Sequence, residues 1–191
     1  MKKILFLFIF LYGCITMGIR GNGNYIFNPS LKKDIENHGY EGFKEISPGF
    51  SFGMGFFHPD YFLIRGKFSQ IFSENSKTKF YSEEGWIEGG AKVFGNKIFS
   101  FYPLIGFGVE NQIVKISKRF EGLTYGISFG FENHLILTKE KPGYLAFAFG
   151  ANYKRIAGAF LDAPYDYLIS RNHSYFEIFF GVEMGFIYEY K

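Results

Sequence analysis

YFEIFFGVEMGFIYEY, residues 175–190, decides how this chain folds. Phe176, Ile178, Phe180, Val182, Met184, Phe186, Tyr188 and Tyr190 alternate with Tyr175, Glu177, Phe179, Gly181, Glu183, Gly185, Ile187 and Glu189. Successive side chains on a β-strand point to opposite faces, so one face of this segment is wholly apolar or aromatic. The other is mainly Gly and Glu.

The same division recurs upstream. Phe50, Phe52, Met54 and Phe56 alternate with Ser51, Gly53 and Gly55, and Phe62, Ile64, Phe68 and Phe72 oppose Arg65, Lys67 and Ser69. Phe99, Phe101, Ile105, Phe107 and Val109 oppose Ser100, Gly106, Gly108 and Glu110; Leu123 to Phe131 oppose Thr124 to Glu132; Leu145 to Tyr153 oppose Ala146 to Lys154. A seventh segment sets Glu84, Glu88 and Lys92 against Ile87, Ala91 and Val93, less regularly, because Trp86 and Phe94 share its polar phase.

Alternation of this kind suits a soluble barrel with apolar residues inside or a transmembrane barrel with apolar residues outside. A water-facing surface would carry abundant Lys, Thr, Gln and Asp, whereas here the polar phase is Gly, Ala, Ser and isolated charges. Small residues and paired charges fit a narrow lumen. Large Phe side chains project freely into lipid. The expectation is an all-β, eight-stranded antiparallel up-and-down transmembrane β-barrel.

Composition agrees. Of 191 residues, 27 are Phe, 14 Tyr and 24 Gly, which argues against helical bundles. A single Cys excludes a disulfide framework, and no internal run reaches the roughly 20 apolar residues of a membrane helix. Met1–Lys3 followed by the apolar run Ile4–Tyr12 reads as a secretory signal peptide over 1–18, with the barrel over 19–191. Acylation at Cys14, after a lipobox-like Leu11–Gly13, is the alternative processing. Without residues 1–18 the chain keeps 19 basic residues against 18 acidic ones, so its charge gives no reason to expect nucleic acid as a partner.

Turn-forming links at His58–Asp60, Gly95–Lys97 and Lys139–Pro142 alternate with polar stretches at Ser73–Glu83, Asn111–Gly122 and Ile156–His173, which read as long loops. Short periplasmic turns and long outer loops alternate this way in outer-membrane barrels. Strand parity requires an eighth strand, placed near Asn22–Asn28, with a loop over Pro29–Phe43.

With these features the mature chain resembles small bacterial outer-membrane barrels of the outer-membrane-protein-A-like eight-stranded type. Glu183, Gly185, Tyr188 and Tyr190 look like the family's terminal assembly signal, although Lys191 follows the final aromatic. The resemblance implies recognition by the barrel-assembly machinery, a place in the bacterial outer membrane among lipid and lipopolysaccharide, and a monomer.

The inner face is expected to hold Arg65, Lys67, Lys92 and Lys154 with Glu84, Glu88, Glu110, Glu132, Glu177 and Glu183 as a network of lumenal charge. Eight strands enclose just enough space for side chains to fill, so these charges pair and plug it; a gated ion path is the alternative. The histidines His38, His58, His134 and His173 show no zinc-type spacing, and no metal, cofactor or catalytic residue is expected. His173, Ser174 and Glu177 are similar to the His, Ser and acid of lipid A 3-O-deacylase barrels, but His and Ser are adjacent here, where that family has one residue between them.

Lys32, Lys33, Lys44, Lys77, Lys79, Lys115, Lys118 and Arg119 collect near the outer loops, where they suit phosphate groups or plain solvation. The apolar stretch Ala157–Ser170 is expected over the barrel mouth. The functional expectation is a non-enzymatic envelope or surface protein whose loops mediate adhesion or interaction. A rim hydrolase acting on lipid A or phospholipid, a narrow pore, and a soluble periplasmic barrel holding an apolar ligand are the alternatives.

Overall fold

A computed structural model describes residues 15–27, 29–42, 44, 46–58, 61–75, 77–116, 119–138, 143–158 and 172–188. Eight long strands follow one another: β1 (Ile15–Phe27), β2 (Ile46–His58), β3 (Phe62–Glu74), β4 (Lys79–Ala91), β5 (Phe99–Lys115), β6 (Arg119–Thr138), β7 (Gly143–Gly158) and β8 (Asn172–Tyr188). Each pairs antiparallel with its neighbour in sequence. β1 also pairs with β8, with Gly18 opposite Gly185 and Arg20 opposite Glu183, which closes the sheet into an up-and-down barrel. Closure leaves no long edge with unpaired backbone groups, the condition for a sheet to cross hydrocarbon.

The wall separates residues as the period of two requires. Phe52, Ile64, Phe107, Phe129, Phe149 and Ile178 project outward, whereas Arg65, Glu88, Glu132, Lys154 and Glu177 are buried inside. An aromatic pile of Phe94, Phe101 and Phe131 sits on the outside near one rim, with stacked rings 4.6 and 5.9 Å apart.

β1 begins at Ile15, so the expected eighth strand exists and runs further upstream than Asn22, over residues also assigned to the signal. Two of the expected long loops are strand. β3 runs through Glu74 and β4 starts at Lys79, leaving a link of 75–78 closed by Asn75, whose Oδ1 accepts from the N–H groups of Lys77 and Thr78. β5 runs through Lys115 and β6 starts at Arg119. Polarity there reflects strands that rise above the membrane slab, since roughly 9 to 11 residues suffice to cross it and these strands have 13 to 20. At the other end β4 stops at Ala91, and Phe94–Gly95 pairs with the start of β5 as a short arm.

Instead of a plain loop, a helix, α1 (Pro29–Asn37), follows β1. Pro29 opens it, where a missing N–H costs nothing. Gly39 ends it at φ 81°, with Tyr40 N–H donating to Ile35 O and Gly39 N–H to Glu36 O, a Schellman closure. Leu31 and Ile35, one turn apart, are fully buried. They pack with Ile71, Phe80, Trp86, Val114, Ile156 and Tyr175 to stopper one end of the lumen. Leu63, Tyr102, Leu104, Tyr144 and Ala146 fill the other end, where β1 begins and β8 finishes.

Candidate functional site

Between these two apolar stoppers the inner wall carries a continuous ladder of charge. Its lower rung belongs to Arg65 on β3, whose guanidinium donates to Glu88 Oε2 from Nε at 3.0 Å and Nη2 at 2.8 Å. The same group grips Glu132 in parallel, Nη1 to Oε1 at 2.9 Å and Nη2 to Oε2 at 2.6 Å. A planar fork matches carboxylates in this way, where an ammonium cannot. Glu88 lies across β3–β4 from Arg65 in the register, so the first pair is set by strand neighbours. Glu132 comes from β6, across the lumen.

Lys67, two residues on and hence on the same face, donates to Glu177 Oε2 at 2.8 Å and lies 3.2 Å from Glu88 Oε1. Lys154 continues upward, with Nζ 2.5 Å from Glu84 Oε2 and 3.2 Å from Glu177 Oε2. Asn152 Nδ2 reaches both Glu88 and Glu177 at 3.4 Å. All of these groups are buried, and burial of charge is tolerated only because each cation meets carboxylates on two sides.

Aromatic side chains line the upper rung. Lys154 Nζ sits 4.7 Å from the Trp86 ring centre and 5.1 Å from that of Tyr175. Trp86 Nε1 donates to Glu84 Oε2 at 3.0 Å, and the Tyr175 hydroxyl bridges Glu84 Oε1, at 2.6 Å, to Glu110 Oε1. Gln112 Nε2 donates to Glu110 Oε2 at 2.6 Å. Trp86 fits because the facing residue is Gly108: a Cβ there would stand 2.3 Å from the indole. The large residue in the polar phase of β4 is therefore lumenal filler opposite a glycine.

Below Arg65, His134 Nε2 stands 2.5 Å from Glu132 Oε1 and 3.4 Å from Glu183 Oε2, while Nδ1 lies 3.0 Å from the Tyr144 hydroxyl. Of the lumenal set read from the sequence, the structure gathers Arg65, Lys67, Glu84, Glu88, Glu110, Glu132, Lys154, Glu177 and Glu183 on the inner wall. Lys92 is the exception. Strand alternation ends at Ala91, and Lys92 sits in the turn, its N–H donating to Tyr61 O, outside the ladder.

Trp86, Gln112, His134, Tyr144, Asn152 and Tyr175 also belong to the ladder: each holds the inward phase of its strand, but none is the Lys, Arg or Glu by which the sequence marks the charged set. Of the terminal signal, Glu183 is lumenal, Gly185 pairs with Gly18 and Tyr144, Tyr188 closes β8, and Tyr190 lies outside the described residues. His173 and Ser174 are consecutive in β8, where faces alternate. The basic residues of α1 and of the hairpin ends are partly matched by acids: Lys32 with Glu36 at 3.9 Å, Lys77 with Glu41 at 3.8 Å, Arg119 with Glu121 at 2.6 Å, and Lys79 with Glu74. Lys118 and most of Ala157–Ser170 lie outside the described residues.

Eight antiparallel strands, an apolar exterior and a charge-filled lumen give this chain the fold of the small outer-membrane-protein-A-like eight-stranded barrels. Neisserial surface protein A is a similar solved structure, with TM-score 0.54 at 11% identity, covering 90% of this chain and 96% of that one. The translocator domain of the autotransporter NalP from Neisseria meningitidis gives 0.50 at 9% identity, over 98% and 94%. Ail, the attachment invasion locus protein of Yersinia pestis, gives 0.48 at 12%, over 93% and 99%. For the first two, likeness at these identities is likeness of fold. No protein-family model matches the chain, and no curated protein matches it.

Proposed function

We propose that this is a non-conducting, non-enzymatic surface protein of the bacterial outer membrane, a monomeric barrel that anchors α1 and the raised β3–β4 and β5–β6 hairpins on the outside. The observation that carries the reading is the lumen. Paired charge fills its middle, and apolar side chains stopper both ends, which suits an anchor and leaves an ion path without a wetted entrance. Outward Phe, Ile and Val stripes support the membrane address. The end that bears α1 is read as the exterior, because the two longest connections, 28–45 and 159–171, leave the barrel there. Barrel-assembly machinery would insert it. Lys33, exposed on α1, and the exposed Lys44 after it are the groups we would expect to meet lipopolysaccharide phosphates.

The test has two arms. Fractionation should recover the protein with outer membranes, in a form that migrates faster unboiled than boiled. In planar bilayers the purified barrel should show no channel activity. Recovery in the soluble periplasm would refute the address, and steady unitary conductance would refute the sealed lumen.

A further inference from the structure

We propose that Glu132, His134 and Glu183 form a lumenal binding site for one divalent first-row transition-metal ion of the zinc class. The three come from two strands, β6 and β8, which are not adjacent in the barrel, and sequence spacing alone does not bring them together. One oxygen of each carboxylate and one ring nitrogen of His134 lie within 4.8 Å of one another, and all three residues are buried. An imidazole with two carboxylates is a donor set that suits Zn2+ and its neighbours.

Glu183 supplies the independent sign of a ligand. Its side chain is 5% exposed, and Oε2 points toward the His134 ring at 3.4 Å yet has no hydrogen-bond partner. A buried carboxylate oxygen without a donor is costly, and a cation between it and His134 Nε2 would satisfy it.

The surroundings hold the ligands as metal sites require. His134 Nδ1 lies 3.0 Å from the Tyr144 hydroxyl, the outer contact that fixes a ligating ring with Nε2 turned to the metal. The Tyr102 ring lies 5.1 Å from the imidazole and closes its flank. Arg65 fixes both oxygens of Glu132. Charge points the same way: the lumenal side chains described comprise six carboxylates, Glu84, Glu88, Glu110, Glu132, Glu177 and Glu183, against Arg65, Lys67 and Lys154. A divalent cation offsets two of the surplus negative charges. Metal–ligand bonds of about 2.0 to 2.2 Å would replace the short His134–Glu132 contact and widen it to roughly 3.3 Å, a shift within reach of a Glu side chain.

Because stoppers close both ends, the ion enters as the barrel forms, so the experiment is refolding. Full-length mature protein is refolded into detergent with Zn2+ or with chelator, gel-filtered, and assayed by elemental analysis; a Co2+ preparation is read by its visible spectrum. Wild type should retain one zinc per chain through gel filtration and give a Co2+ spectrum of nitrogen and oxygen ligation. Glu183→Gln and His134→Gln should lose both signals while keeping heat-modifiable mobility, and Tyr144→Phe should weaken retention by roughly 10-fold.

A folded wild-type barrel that carries no metal after refolding in Zn2+ overturns the proposal. Equal zinc in wild type and both lumenal variants overturns it too, by placing the ion on the surface. If neither lumenal variant folds, the wild-type Co2+ spectrum alone decides, and the absence of ligand-field bands refutes the site.

Discussion

Ile87 and Glu88 are consecutive in β4, yet one is 68% exposed on the outer wall and the other 1% exposed in the lumen. Outside, the requirement is only of class. Any apolar side chain satisfies hydrocarbon, and none needs a particular neighbour. Inside, each residue answers to named partners: Glu88 stands against Arg65, Lys67 and Asn152 at once. The outer face therefore tolerates exchange within a type, whereas the inner face is fixed pair by pair. The two faces should fail differently when mutated.

The largest effect is expected at the Arg65 rung. Arg65→Met leaves Glu88 and Glu132 buried without their shared cation, and removing one partner of a buried ion pair typically costs about 3 to 5 kcal/mol. Denaturant unfolding of the detergent-refolded barrel measures it, and adding Glu132→Gln to Arg65→Met should recover part of the loss. A single-mutant cost below about 1 kcal/mol would mean that the ladder is filler without pair specificity. On the outer wall, Phe107, 63% exposed, gives the opposite test. Phe107→Arg should cost about 2 to 4 kcal/mol if it sits near the bilayer midplane, while Phe107→Leu should cost less than about 1.5 kcal/mol, since hydrocarbon asks only for an apolar group. Equal penalties for Arg and Leu would remove Phe107 from lipid.

These faces also mark what the sequence makes legible. Strands, orientation and inward phase follow from the period of two, because alternation is a local property: Phe176, Ile178 and Phe180 reveal a lipid face with no knowledge of the rest of the chain. Contacts are not local. His134 and Glu183, 49 positions apart, meet because the registers of β6 with β7 and of β7 with β8 set both beside the small Ala146 and Ala148. Lys92 holds the right phase but lies past the point where its strand stops. The hairpin sections of β3 to β6 look like loops because there the outward face turns largely polar while the inward face carries the Phe80 and Val114 of the stopper, so the outward apolar stripe that signals a strand fades. Helix α1 is hidden for a related reason: its buried face consists of two residues, Leu31 and Ile35, in a stretch that is otherwise polar, and its stability comes from the barrel mouth beneath it.

Dependence of α1 on the mouth gives the next prediction. Leu31→Ala should cost about 2 kcal/mol, near the lower end for a buried Leu, because the helix can settle into part of the vacated space. The loss should appear as local opening, with faster proteolysis around Lys32 and Lys33 while the barrel keeps its unboiled gel mobility. Coupled loss of both would show that the outer stopper is part of the barrel's own folding unit.

The smallest effect sharpens the contrast from the solvent side. Lys32 and Glu36 are one helical turn apart at 3.9 Å, with side chains 24% and 48% exposed. Water and salt screen such a pair, so Lys32→Ala should change stability by no more than about 0.5 kcal/mol, and that small difference should shrink as salt is raised toward 1 M. Lys154, also a lysine against glutamates, lies fully buried under Trp86 and Tyr175, and its contribution should hardly respond to the same salt. If Lys154→Met proved as mild and as salt-sensitive as Lys32→Ala, water would reach the middle of the lumen, and the stoppers at Leu31 and Tyr144 would not seal it.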